Sequence, residues 1–291
     1  MDIQWYPGHM TKTRRMMEEN RKLIDIVIEL LDARIPLSSR NPAIDEIFGD
    51  KPRLVVLNKS DIADASVTRE WEKYFRDKGL GVKSISSVSG KSFNDIFASC
   101  KEILKDKIER DRERGLVNRP IKMMVVGIPN VGKSSFINKL SGKKSAATGD
   151  KPGVTRGKQW IRLPNAFELL DTPGILWPKF EDVSVGEKLA FTGAIKDEIM
   201  DIEEIAIRLL ELLRIRYPES LTNRYKMTDF EELEGYELLE LLGRKRGFVI
   251  SGGEIDTERA AKILLDEFRG AKLGNMSLEK PEDFTEEQKD A

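Results

Sequence analysis

A single cysteine, Cys100, in 291 residues excludes a disulfide framework and any Cys-rich metal site. No apolar run is long enough to span a bilayer and no N-terminal signal peptide is evident, so the sequence predicts a soluble, cytoplasmic protein without membrane attachment. Net charge is also scarce, at −1, but that value conceals two opposed halves. Through Pro178 there are 32 Lys+Arg against 23 Asp+Glu, and beyond it 17 against 27. The length exceeds one average domain, and the charge change falls where a boundary is expected, giving domains at 1–178 and 179–275 and a tail at 276–291.

What the chain does contain begins with Gly127 to Ser134, GIPNVGKS. The GxxxxGK[ST] pattern uses glycines to let backbone N–H groups wrap phosphates, a Lys to reach the β/γ-phosphates and a hydroxyl to bind magnesium. Its context is right: Ile121 to Val126 reads as a buried strand and Ser134 to Leu140 as the start of a helix, whose N-terminus adds to the anion site. Asn130, Val131, Gly132, Lys133, Ser134 and Ser135 are therefore candidate phosphate contacts.

A phosphate loop does not choose between ATP and GTP. The run Asn58, Lys59, Ser60, Asp61 follows the strand-like Arg53 to Leu57 and supplies the choice. A carboxylate at Asp61 can accept both donors on the guanine edge, Asn58 can bond the other side of the base, and Lys59 can lie along the ring. A second predicted strand, Val82 to Ile85, ends at Ser86 and Ser87, where a backbone N–H can meet the guanine oxygen. Between the phosphate loop and the DTPG run lies Thr155, in PGVTRG, a second hydroxyl for magnesium. Phe167 to Leu170 reads as a strand delivering Asp171 to the metal's outer shell and the Gly174 N–H to the γ-phosphate. These two loops are the expected switches.

The motifs are complete but rotated, with the base reader ahead of the phosphate loop. Together with WYPGHM at Trp5 to Met10 and DARIPLSSRNP at Asp32 to Pro42, they make the chain resemble the circularly permuted GTPases of the YlqF or ribosome biogenesis GTPase A type. The resemblance implies an α/β P-loop GTPase domain with permuted motif order, followed by a smaller all-α C-terminal domain that contacts RNA. It implies a GTP-hydrolysing factor that assists late assembly of the large ribosomal subunit and leaves on hydrolysis. The expected ligands are GTP and Mg2+, and the expected partners are that subunit and its ribosomal RNA, with no DNA; the chain is expected to be monomeric. Two alternatives stay open: a GTP switch docking a non-ribosomal protein or membrane partner, and a P-loop ATPase or kinase.

Catalysis departs from the common pattern. Ile175 follows DTPG where many GTPases carry a water-orienting Gln, so another group must act or turnover is slow without an activator. His9, the single histidine, is the candidate, with a structural role as the alternative. Lys133 and Thr155 complete the catalytic set. Asn130 matches GTPases that use K+ as activating cation, or else merely stabilises the turn.

Basic residues cluster from Lys139 to Arg162, overlapping the first switch, which suits either RNA phosphate contact or a solvated loop. The acidic half reads as helices near 202–213, 234–242 and 256–269, with a local basic knot at Arg244, Lys245 and Arg246. Lys91 to Ile108 reads as one helix, joined by a charged stretch, 109–119, to the phosphate-loop strand. The polar tail from Met276 is expected to be frayed or disordered.

Overall fold

The computed structural model describes residues 9–87, 93–116, 119–142, 160–170 and 182–284. They fall into two compact units, residues 9–170 with 277–284 and residues 182–276.

The first unit runs α1 (His9–Asn20), β1 (Ile26–Asp32), α2 (Ala43–Phe48), β2 (Arg53–Asn58), α3 (Ala65–Asp77), β3 (Gly81–Ser84), α4 (Asn94–Ile103), α5 (Lys105–Glu113), β4 (Ile121–Val126), α6 (Lys133–Ser141), β5 (Trp160–Leu163) and β6 (Phe167–Leu170). The strands form one sheet in the order β3-β2-β1-β4-β6-β5, parallel throughout except for the β5–β6 edge pair. Every residue of β1 and of β2 is buried, as expected for central parallel strands covered on both faces. On one face Met17, Ile44 and Phe48 pack with Val27, Met124 and Val126, while Trp71 and Phe75 of α3 pack with Leu31, Val55 and Leu57. On the other, Phe97 of α4 meets Phe167 at 5.0 Å between ring centres, and Phe93 meets Phe136 of α6 at 5.4 Å. Glu29, a buried carboxylate in the middle of β1, accepts from Arg40 and Arg53, each at 3.1 Å, so the charge is paired rather than stranded in the sheet.

The permuted order is visible in this sheet. β4, which leads into the phosphate loop, lies centrally between β1 and β6, yet three strands precede it in the chain. α4 and α5 carry the chain from the edge at β3 back to the centre. Asp25 fixes that crossing: its carboxylate accepts from Lys107 at 2.6 Å, from Arg119 at 3.0 Å and from the Lys122 N–H at 2.8 Å.

Two expectations are corrected. The single helix read over 91–108 is two helices that break at Leu104 (φ −96°, ψ 10°), and the second continues to Glu113 into the supposed linker. The tail read as frayed from Met276 is ordered as far as Phe284. Met276, Ser277, Leu278 and Glu279 are buried, and a 3-10 turn follows at Pro281–Phe284. Local composition hid this, because the partners of Leu278 and Glu279 lie far away in sequence.

The second unit holds α7 (Val183–Phe191), α8 (Ile202–Arg216), α9 (Pro218–Tyr225), α10 (Tyr236–Lys245) and α11 (Thr257–Arg269). Asp201 caps α8 by accepting from the N–H groups of Glu203 and Glu204, each at 3.1 Å, and Ile205, Leu209, Leu210 and Leu213 form its buried stripe. Glu267 on α11 accepts from Arg224 at 2.9 Å and from Arg246 at 3.3 Å, and the Arg259 guanidinium stacks 4.5 Å from the Phe248 ring. Arg246 of the basic knot thus makes internal contacts while remaining exposed, as Arg244 and Lys245 are, and Arg259 is engaged in the same way. Among the described residues no helix is long and apolar enough to cross a membrane.

Candidate functional site

β1, β2, β3 and β4 are mutually parallel, so Asp32, Asn58, Ser84 and Val126 end on one edge of the sheet. The chain steps from β1 towards β2 and β3 in one direction, and β4 lies on the opposite side of β1. Such a reversal opens a crevice at the carboxyl ends of the strands, where α/β folds bind ligands.

The loop after β4 is shaped by its glycines. A Cβ on Gly127 would stand 2.7 Å from the Leu30 carbonyl oxygen, and one on Gly132 would stand 2.4 Å from Asn58 Nδ2. Gly132 also has φ +96°, a left-handed conformation that L side chains rarely adopt, and Asn130 has φ +56°. This path turns the chain sharply into α6, whose first turn opens at Lys133 directly after the loop. Lys133 and Ser134 are half-buried there, whereas Asn130 and Ser135 are exposed and Val131 is buried.

Asn58 joins this loop to the base-reading elements. Its Nδ2 donates to the Val131 carbonyl at 2.7 Å, and its Oδ1 accepts from the Ser87 N–H at 3.0 Å and the Ser87 hydroxyl at 2.8 Å. Both lone-pair directions of Oδ1 are therefore used inside the protein, and one Nδ2 hydrogen remains for a ligand. The Ser60 N–H donates to the Ile85 carbonyl at 3.1 Å, which locks the loops after β2 and β3 together. Ser86 and Ser87 are buried, whereas Asp61 is exposed.

Lys59 takes a left-handed backbone, φ +62°, and its ammonium pairs with Asp32 at 2.9 Å. Asp32 is the register partner of Asn58 across the β1–β2 ladder. It also receives Arg34 through Nε at 2.9 Å and Nη2 at 2.7 Å. Burial alone would raise the Asp32 carboxyl, but the charges and hydrogen bonds of Arg34 and Lys59 outweigh it and hold the group well below the usual carboxylate range. Lys59, expected only to line the base, is thus anchored at its far end. Sequence reasoning gave Asp32 and Arg34 no role. The available signal was an acidic residue closing a strand that is apolar apart from Glu29.

The structure brings Asn58, Lys59, Ser60, Asp61, Ser86 and Ser87 to the same edge as the phosphate loop. Thr155, Asp171 and Gly174 lie outside the described residues, as do Lys143, Lys144 and Lys158. His9 opens α1.

The 50S ribosome-binding GTPase family matches residues 122–234. The ribosome biogenesis GTPase A of Bacillus cereus is 51% identical over 290 residues, covering 100% of this chain and 98% of that protein. The chain belongs to the ribosome biogenesis GTPase A family. The member from Thermotoga maritima is 33% identical over 99% of this chain and 98% of its own length. A mouse relative, mitochondrial ribosome-associated GTPase 1, is 34% identical over 95% of this chain and 90% of its own. The GDP-bound structure of the T. maritima YlqF superposes with a TM-score of 0.68 at 29% identity, covering 92% of this chain and 100% of the other. As a member of this family, the chain is a GTPase with the motif order rotated around the parallel sheet.

Proposed function

We propose that this GTPase binds the large ribosomal subunit in its GTP form, assists a late step of that subunit's assembly, and is released on hydrolysis. The observation that carries the ribosomal half is the match of residues 122–234 to a family described as 50S ribosome-binding. The nucleotide half rests on the Asn58 contacts, which hold a base-reading loop and a phosphate loop at one site.

In this reading the Asp61 carboxylate accepts the guanine donors and the remaining Asn58 N–H meets the base. Lys59 covers the ring from its anchor on Asp32. The Ser87 N–H is committed to Asn58, so the guanine oxygen falls to the other amides of that loop, Ser86 among them. Lys133 and the amides of Asn130 to Ser135 hold phosphate. The residues fit magnesium, which favours hard oxygen ligands: Ser134 stands in the first turn of α6, where the left-handed Gly132 delivers it, and Thr155 and Asp171 supply further oxygens. Bound there, the ion would offset charge on the β- and γ-phosphates. Gly174 reports the γ-phosphate, and the exposed Asn130 amide is the ligand for an activating K+. His9 orients the attacking water in place of the missing Gln. The partner surface includes ribosomal RNA, met by the basic run 139–162.

Co-sedimentation with large ribosomal subunits, in a non-hydrolysable GTP analogue and in GDP, tests the proposal. Pelleting favoured by the analogue is expected. Equal absence from the pellet in both states would favour a non-ribosomal partner, and equal binding of ATP and GTP would favour an ATPase or kinase.

A further inference from the structure

The ordered tail meets the first unit at an informative place. After Met276 the chain lays Ser277, Leu278 and Glu279 across the two loops that follow β1 and β2. Glu279 is fully buried, and its carboxylate accepts from the backbone N–H groups of Leu37 at 2.9 Å and Ser38 at 3.2 Å, and from the Ser38 hydroxyl. The Leu278 N–H donates to the Arg34 carbonyl at 2.8 Å. On the other side the Asp64 N–H donates to the Ser277 hydroxyl at 3.2 Å, and the Trp71 indole N–H donates to the Glu279 carbonyl at 3.0 Å.

These contacts end at the residues that flank the base reader. Arg34, whose carbonyl the strap holds, places its guanidinium on Asp32, and Asp32 holds the Lys59 ammonium. The Asp32 N–H in turn donates to Ser39 Oγ at 3.0 Å, next to the clamped Ser38. Asp64, held by Ser277, caps α3 by accepting from Ser66 and Val67 N–H groups, three residues after Asp61. A buried carboxylate fixed by backbone donors is hard to displace, because any N–H it abandons is left unpaired.

We propose that Glu279 is a positioning residue for guanine recognition: with Ser277 and Leu278 it straps the loops after β1 and β2 and so fixes Lys59 and Asp61 against the base. The inference rests on the reading of Asn58 to Asp61 as the base site. Removing the strap loosens the carboxylate that reads the guanine edge and the Lys59 side chain that covers the ring, while leaving the phosphate loop intact. Nucleotide discrimination, more than phosphate affinity, is what it sets.

The test compares GDP with inosine diphosphate, which lacks the 2-amino group that Asp61 would read. Binding of both is measured on the full chain for the wild type, Glu279→Ala, Glu279→Gln and Asp61→Asn, with thermal unfolding in the absence of nucleotide alongside. Glu279→Ala is expected to narrow the GDP preference about tenfold, within the usual range for coupled sites, and Glu279→Gln to narrow it less. A lowered unfolding midpoint with the wild-type preference intact would reduce the strap to a structural role and overturn the proposal. Should Glu279→Ala not fold, Glu279→Gln is decisive, since an unchanged preference there overturns it equally. If Asp61→Asn also keeps full discrimination, the base-site reading itself fails and takes the proposal with it; loss in Asp61→Asn alone sinks only the strap.

Discussion

The side-chain amide of Asn58 donates to the carbonyl oxygen of Val131 at 2.7 Å, joining the end of β2 to a phosphate loop 73 residues further along the chain. The same side chain accepts twice from Ser87, so three loops from three strands share one buried hub. Permutation changed the order in which those loops are made and left their meeting point in place.

Truncating that hub is the first prediction. Asn58→Ala leaves the Val131 carbonyl and the Ser87 donors without Asn58, at about 1–3 kcal/mol for each buried group left unpaired. It should lower stability even without nucleotide and weaken GDP binding as well. Urea unfolding and GDP titration check the pair, and a loss of affinity with unchanged stability would make Asn58 a ligand contact alone.

The second prediction concerns acid. Asp32 has a depressed folded-state pKa, so its contribution to stability is fully present above the unfolded carboxylate value of about 3.9. It is lost as pH falls from there towards the folded value. Asp32→Asn should therefore flatten the acid limb of the stability profile below about pH 4. Near neutrality it should cost about 3–5 kcal/mol, because Arg34 becomes a buried cation without its counter-charge. Urea midpoints at pH 7 and pH 3 measure both effects, and parallel profiles for variant and wild type would refute the assignment.

How far these relationships could be read from sequence depended on how local they are. The phosphate loop was legible because GxxxxGKS, the strand before it and the helix after it are contiguous. The helices read near 202–213 and 256–269 were legible for the same reason, since Asp201 and Asp256 cap them by accepting from N–H groups within three residues. The Asn58 hub was not legible, since its partners are set by sheet order. Nor was the strap: Ser277 to Glu279 sits in a polar, charged stretch with few apolar side chains, and Leu278 among them is fully buried against a distant loop. Lys91 to Ile108 kept a helical stripe on both sides of Leu104, and periodicity carries no sign of a break that keeps both faces apolar. The first strand, IVIELLD, went unread because Glu29 and Asp32 interrupt its apolar run, and the arginines that neutralise them are non-local or follow the strand.

Turnover supplies the third prediction. With Ile175 in place of a water-orienting Gln, His9→Ala should slow ribosome-stimulated hydrolysis about 10²- to 10⁴-fold, the range for a positioned acid–base group, and leave GTP binding nearly unchanged. Single-turnover assays with and without ribosomal subunits separate chemistry from binding. A parallel loss of GTP affinity would identify a structural histidine.

The last prediction ties the basic run to the partner. From Lys139 to Arg162 the sequence holds seven Lys and Arg residues against one acidic residue, Asp150, and the run includes Thr155. Cations that sit on RNA phosphates release condensed counterions, so removing one lowers affinity and shallows the dependence of binding on salt. Replacing Lys143, Lys144 and Lys158 with Ala should therefore weaken association with the large subunit and flatten its salt slope by roughly two to three charges, at about 0.7–0.9 per neutralised phosphate. GTP affinity should change little, because none of the three belongs to the phosphate loop. The deficit should be larger with a non-hydrolysable GTP analogue than with GDP, since the γ-phosphate is what orders a switch segment. A triple variant that pellets with subunits as the wild type does, in both nucleotides and across the salt range, would leave these lysines as a solvated loop.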